Sequence, residues 1–405
     1  YDSSYEEDGI DYPFGLVRWT EKRNFDAILN LMANKSIITE SLISHKFSID
    51  NAAKAYNVLT GEKSSLGIII SYGENNEKIK KLININNVGN NEISKYPEIG
   101  FIGAGNYASR VLVPAFAKYN ANLYSIAASS GLDPIQIAKK FNFKQVTTDI
   151  DTLIKDKNCK CIVIATRHDS HASLIIKSIK AGKHVYVEKP LCLNSKELND
   201  IKAAHNPKLL LTVGFNRRYS PLSIKLKKEL DKLSGPKSFI YTCNAGFISK
   251  NHWTQDPLIG GGRLIGEACH FVDFLRFLSG SMIDDLGIYE IEDKKICSDN
   301  FSIQIKFRNG SIGTIHYFSN GSKSYQKERL EVFSSGKIFC LENFRKLKAW
   351  GIPSFKTIRY FSQNKGHNEC VKSFLTNIQT GERESSIPFE ELVEVQSWLN
   401  KVLKK

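Results

Sequence analysis

The chain has 405 residues, 41% of them hydrophobic and 24% charged, with a formal net charge of +14. That length accommodates two or three ordinary domains, and the composition is that of a globular protein rather than a disordered or fibrous one. No apolar run approaches the ~18 residues of a membrane span, and no basic cluster is interleaved with aromatics as a nucleic-acid surface requires. Membrane and nucleic-acid partners are therefore set aside, and the excess charge is read as lysine on solvated faces with some attraction for anionic ligands. The eight cysteines form no CxxC pair. They read as free thiols, with no metal site, and the absence of an opening signal peptide points to the cytoplasm. Tyr1 opens the sequence and the first methionine is Met32, which reads as a fragment or a processed chain.

Residues 1–22 are polar and aromatic, with turn signals at Gly9 and Pro13. The spacing of Phe25, Ile28, Leu29 and Met32 predicts a helix over 25–33. Asp50 is expected to cap a second helix carrying Ala52, Ala53, Ala55, Tyr56 and Leu59, and Leu66–Ser71 reads as a buried strand. Two short helices and one strand make a poor independent core. Residues 73–97, rich in asparagine, read as a linker.

At residue 98 the pattern changes. Ile99, Phe101 and Ile102 keep strand rhythm, run into Gly103-Ala104-Gly105, and give way to a helical pattern with Val111, Ala115 and Phe116. Strand, glycine turn and helix together describe a dinucleotide site. Gly103 permits the turn, Gly105 lets backbone approach a pyrophosphate, and Ala108 allows close helix–strand packing. Strands are expected at 122–128, 161–165, 184–187 and 209–213, alternating with helices at 133–141, 149–155, 170–181 and 195–205. Asp133 is read as the cap of the helix over 133–141. This is the order of a doubly wound parallel sheet with right-handed crossovers. From Lys237 strands dominate. Phe301, Ile303, Ile305 and Phe307 alternate with polar residues ahead of Asn309-Gly310, a hairpin signature. The fold class is α/β: a Rossmann domain over 98–215, then an α+β domain over 216–405 with a large, open, mostly antiparallel sheet.

Three stretches carry chemistry. The glycine loop is the first. In His184–Leu191 (HVYVEKPL), Lys189 follows a buried strand at the carboxyl edge of the sheet, where such folds bind ligands. The residue reads either as an ammonium aimed at a substrate oxygen or as a strand-end lysine before a turn proline. In Trp253–Asp273 (WTQDPLIGGGRLIGEACHFVD), Glu267, His270 and Asp273 recur at helical spacing. His270 is either a proton carrier near neutral pH or a surface histidine paired to a carboxylate.

GFIGAGNYA, IATRHDSHASL, AGKHVYVEKPL, VGFNRRYSP and GGGRLIGEACHFVD, in this order, resemble the glucose-fructose oxidoreductase / inositol dehydrogenase / MocA family over residues 98–405. The resemblance implies that Gly103, Ala104, Gly105, Asn106 and Tyr107 cradle the pyrophosphate, and that Thr166, Arg167, His168 and His171 line the cofactor. It sets Glu188 and Lys189 in the family's Glu-Lys-Pro, with Lys189 beside the nicotinamide and the substrate hydroxyl. It makes His270 the residue that takes the hydroxyl proton. The family commonly has Asp four residues before that histidine; Gly266 stands there, and Glu267, one residue on, is taken as its replacement at a different helical angle. Arg217, Arg218, Trp253 and Arg263 become substrate contacts, suited to an anionic or nucleotide-linked sugar, although each arginine is equally readable as a surface ion pair. The second strand ends Ala127-Ala128-Ser129-Ser130-Gly131 with no acid for the ribose hydroxyls, so Ser129 and Ser130 give NADP a slight lead over NAD.

The implied activity is NAD(P)-dependent hydride transfer on a sugar, nucleotide-sugar or polyol, with polysaccharide biosynthesis as one setting, in a homo-oligomer. The alternative is a non-catalytic NAD(P)-binding regulator or scaffold. Residues 1–72 (GIDYPFGLVRWTEKRN, LISHKFSIDNAAKAY, LGIIISY) resemble the last portion of the zinc-dependent medium-chain alcohol dehydrogenases. That family's zinc ligands and dinucleotide loop lie upstream of this portion, so no alcohol-dehydrogenase activity is expected from it.

Overall fold

In the computed structural model, residues 2–7, 9–61, 65–72, 81–85, 95–128, 132–291, 299–381 and 387–403 are described. The chain divides into two compact units, Tyr1–Lys80 and Lys81–Lys405.

In the first unit, Thr20 caps helix Glu21–Ala33 by accepting a hydrogen bond from the Arg23 amide. Strand Ile43–Ser48 pairs parallel with Gly67–Ser71. The helix Ala52–Leu59 follows a tight turn at Ile49–Asn51 that absorbs Asp50, so the predicted aspartate cap is not formed. Among the described residues of this unit only Thr20 and Ala55 are buried, while Phe14, Leu16, Trp19, Phe25 and Leu29 are exposed.

The second unit contains two sheets. The first has seven strands in the order 82–84, 145–147, 122–127, 98–102, 161–164, 184–187, 211–213. All neighbours are parallel except Leu82–Asn84, which runs antiparallel to Gln145–Thr147 at the edge. The stretch expected to be a linker therefore contributes a strand at 82–84. Strand order reverses on either side of Glu98–Ile102, so a crevice opens at the carboxyl ends of 98–102 and 161–164, where ligands bind in such sheets. After the glycine loop the chain makes a wide π-type turn at Ala108–Leu112 before helix Val113–Ala117. Pro114 has no N–H to offer the regular ladder, which accounts for the widening. The helix predicted from Asp133 begins at Leu132.

The second sheet has eight strands, in the order 283–290, 301–307, 312–318, 238–244, 328–334, 337–342, 346–350, 358–359. Its one parallel pair is Ser238–Asn244 with Ile312–Phe318, and the remaining pairs are antiparallel. Phe301, Ile303, Ile305 and Phe307 are buried, as their alternation requires. Helix Cys269–Ser279 packs on this sheet and helix Phe389–Val402 packs on that helix. Helix His367–Thr380 goes back to the first sheet, where Phe374 meets Tyr186 and Phe116 edge-on at 5.5 and 6.3 Å. Packing thus does not divide at residue 215: the late helix shares the first sheet's core. The seven described cysteines are buried free thiols, and Cys297 lies outside the described residues. Among the described residues no helix is long and apolar enough to cross a membrane.

Candidate active site

Gly103 turns at φ 104°, and a Cβ there would collide with the carbonyl oxygen of Ala165, just past the end of the neighbouring strand. Only glycine fits both conditions. A Cβ at Gly105 would meet nothing, so open space stands over this part of the loop. Ala104 and Asn106 complete the turn, and Tyr107 carries the chain toward a cavity of about 460 Å³. Ser129 and Ser130 lie outside the described residues.

Two sequence-predicted groups meet at this cavity. Lys189 and His270 both line it. The Lys189–Pro190 bond is cis, and Lys189 Nζ donates to the Gly266 carbonyl at 2.7 Å. His270 is buried, and its Nδ1 has no partner within the protein. Burial, reinforced by the Arg217 and Lys189 cations, holds its pKa well below the usual histidine value, so the ring is neutral at pH 7. Burial likewise pushes His168 down to about 3, with Lys189 adding to the effect. Its Nδ1 donates to the Gly260 carbonyl at 2.8 Å, and its ring meets Trp253 edge-on.

Glu188 sits beneath the cavity. Burial raises its carboxyl to about 7 against the opposing pull of Lys189, and the Tyr107 hydroxyl bonds to it. Its Oε1 has no partner, and a Cβ at Gly214 would fall 2.6 Å from that atom. Glu267 is held below the usual glutamate range: burial pushes it up, but Lys189, Arg263 and the Tyr317 hydroxyl outweigh burial. Arg263 Nε donates to Tyr317 Oη at 2.5 Å, and Tyr317 donates to Glu267 at 2.7 Å. A π-type turn at Leu264–Ala268 places Glu267 on the cavity wall together with His270. A side chain at 266 would lie 3.1 Å from His168 and 3.2 Å from the Gly260 oxygen, so one there would press on His168.

Thr166, Trp253 and Arg217 also reach the wall. Gly103, Ala104, Gly105 and Asn106 form the adjoining loop and do not line it, and Arg218, His171 and Arg167 are also off the wall. Arg218 is buried between Asp273 and Glu391 at 2.6 Å each, so it is a structural ion pair and the expected substrate contact is corrected. Asp273 is thereby drawn off the site as well. His171 lies behind the wall, donating to the Pro190 carbonyl at 2.8 Å, and it fixes the turn that carries Lys189. Arg167 is exposed, its guanidinium 5.8 Å from the Trp253 ring. Ala104 contributes backbone alone.

Sequence reasoning missed Asn216, Gln363, Lys365 and His367, all on the wall. Asn216 lies inside the quoted motif VGFNRRYSP, and the one signal for the other three was the polar run Gln363–Asn368 at the start of an amphipathic helix. His367 is pushed down to about 4 by burial and then by Arg217 and Lys365. Glu328, also unanticipated, is held well below its usual range: burial opposes this, but Arg217 and Lys365 prevail.

A family profile described as "Oxidoreductase family, NAD-binding Rossmann fold" matches residues 98–215, and "GFO/IDH/MocA C-terminal domain" matches 238–338. Residues 98–338 belong to the GFO/IDH/MocA oxidoreductases. The chain is 25% identical over 303 residues to myo-inositol 2-dehydrogenase of Thermotoga maritima, covering 70% of this chain and 89% of that protein. It is 28% identical over 222 residues to oxidoreductase P35 of Formosa agariphila, covering 52% and 69%. A solved levoglucosan dehydrogenase in complex with NADH and levoglucosan superposes with a TM-score of 0.67 at 20% identity, over 76% of this chain and 96% of that one, and so shares the fold. The GFO/IDH/MocA assignment makes the chain an oxidoreductase with an NAD-binding fold, and the zinc-type remnant expected over 1–72 gains no support from these matches.

Proposed function

We propose that this oxidoreductase moves a hydride between a nicotinamide dinucleotide and a hydroxyl-bearing carbon of a sugar or polyol, with Lys189 and His270 as the catalytic pair. The observation that carries the proposal is the meeting of these two side chains in one cavity beside the glycine loop. The crowded turn at Gly103 and the open space over Gly105 fit a pyrophosphate. Asn106 and Tyr107 continue that seat, and Thr166 and His168 line its inner end. When bound, the nicotinamide accepts or returns the hydride. His270, neutral and with Nδ1 unpartnered, takes the hydroxyl proton. Lys189, aimed by the Gly266 carbonyl, donates to the same substrate oxygen. Trp253 and Arg263 are the substrate contacts, and Glu267 holds Arg263 in place.

Because strand Asn122–Ala127 leads into Ala128-Ser129-Ser130 with no acid, NADP is placed slightly ahead of NAD, although the family is described as NAD-binding. Titration of protein fluorescence with NADH and NADPH decides, and clearly tighter NADH overturns that order. The activity test is a screen of myo-inositol, levoglucosan, common hexoses and the matching uronic acids with both oxidised cofactors, followed at the reduced-nicotinamide absorbance. Growth of that absorbance with any of them is expected. Firm cofactor binding with no turnover of any carbohydrate speaks for a binding protein instead.

Two further readings belong here. Residues 1–72 are assigned to the closing part of an alcohol-dehydrogenase-like module, supported by the exposed apolar side chains that such a part would bury. Zinc-ligand residues encoded in the upstream reading frame would bear this out, and an unrelated frame would remove it. Self-association through the outer face of the second sheet, where Ile240 and Phe333 are exposed, is tested by light scattering; a monomer at assay concentrations excludes it.

A further inference from the structure

The cavity wall holds more positive charge than its own carboxylates neutralise. Lys189, Arg217, Arg263 and Lys365 line it, and two carboxylates on the wall, with Glu328 behind it, answer them. Glu188 lies beside Lys189 and Glu267 pairs with Arg263. Glu328 alone serves both remaining cations. Arg217 engages both of its oxygens, Nε at 2.8 Å and Nη2 at 3.0 Å, and the Tyr241 hydroxyl donates to it as well. That satisfies a buried carboxylate. Lys365 is then added at 2.5 Å, and its own carbonyl is tied to the Asn216 side chain at 2.7 Å. Arg217 and Glu328 are 9% and 1% exposed and Lys365 only 15%. The two histidines on this side, His270 and His367, are kept neutral and supply no counter-charge. Lys327 and Glu369, charged neighbours off the wall, are of opposite sign and leave the surplus in place. A largely buried cation without its own counter-ion is costly, and a ligand's anion removes that cost.

We infer that the substrate carries a carboxylate, seated against Lys365 and Arg217, so that the enzyme acts on an acid sugar rather than a neutral one. Guanidinium and ammonium together suit a planar anion. This rests on the dehydrogenase reading of the same site and names its substrate class.

The test compares matched pairs on the NADH-loaded full chain: D-galacturonate against D-galactose, and D-glucuronate against D-glucose, by calorimetry. Each uronate is expected to bind at least about tenfold tighter than its neutral parent, the worth of one charged hydrogen bond. The advantage is expected to shrink with added salt and to vanish in Lys365→Met. Equal or tighter binding of the neutral sugars, or binding of neither class by the NADH-loaded protein, overturns the inference while leaving the dinucleotide site standing. A Lys365→Met variant that loses NADH affinity and keeps the uronate preference also overturns it, because the charge then serves a cofactor phosphate. Failure of the wild-type protein to bind either NADH or NADPH removes both readings together.

Discussion

Glu188 and Gly214 show how closely two residues define one another. The carboxyl of Glu188 occupies the space a side chain at 214 would need, with Oε1 2.6 Å from a hypothetical Cβ. Gly214→Ala is expected to displace that carboxyl and the adjoining Lys189, and to lower turnover by roughly tenfold to a hundredfold with little change in melting temperature; steady-state kinetics on the variant read this directly. Arg218 makes the opposite case. Its pairing with Asp273 is buried, so Arg218→Met strands that carboxylate, while Glu391 keeps Arg276 at 3.7 Å, and is expected to cost about 3–5 kcal/mol in denaturant unfolding. Unchanged stability would return Arg218 to the list of substrate contacts. The sequence distinguishes these roles poorly. An arginine that binds a substrate and one that pairs with a carboxylate 55 positions away read alike until the fold brings the partner in. Lys189 and His270 were legible because short, ordered motifs surround them, whereas Lys365 and His367 stand in a run without such a pattern.

Elements place these side chains through local irregularities rather than through regular helix or strand. The turn at Leu264–Ala268 puts Glu267 and His270 on one wall and leaves a side chain at 266 tight against His168 and the Gly260 carbonyl. Gly266→Asp, which creates the carboxylate common at this spacing, is therefore expected to lower both activity and melting temperature by crowding His168. A gain in activity would mean that Glu267 is not the acting carboxylate. Regular strands announced themselves by alternation, as at Phe301–Phe307, and so did the continuous apolar strand Cys161–Ile164. The edge strand Leu82–Asn84 did not. Three residues are too few to display a period, and both Leu82 and Ile83 remain exposed. The return of helix His367–Thr380 to the first sheet was equally hidden, since an amphipathic face does not say which sheet it will cover.

The whole molecule is expected to weaken in acid. His168, His171, His270 and His367 all have folded pKa values below the unfolded value, to about 3 and about 4 for the first and last. Each contributes stability present above about pH 6.5 and lost as pH falls below it, by up to about 1.4 kcal/mol per pH unit. Glu188 and Asp273, raised to about 7 and about 6, act in the opposite sense and gain as pH falls. His184 and His205 are lowered as well and Glu290 is raised, so six groups stand against three and the melting temperature is expected to drop between pH 6.5 and 5; a flat or rising profile would mean that the histidines are not held neutral. The claim on which function turns is nonetheless local: one amine and one imidazole share the reacting oxygen. The direct measurement is turnover of Lys189→Ala and His270→Ala beside their affinity for reduced cofactor. The expected result is a loss of at least about a hundredfold in turnover in each, with cofactor affinity nearly intact; wild-type turnover in either variant would contradict it.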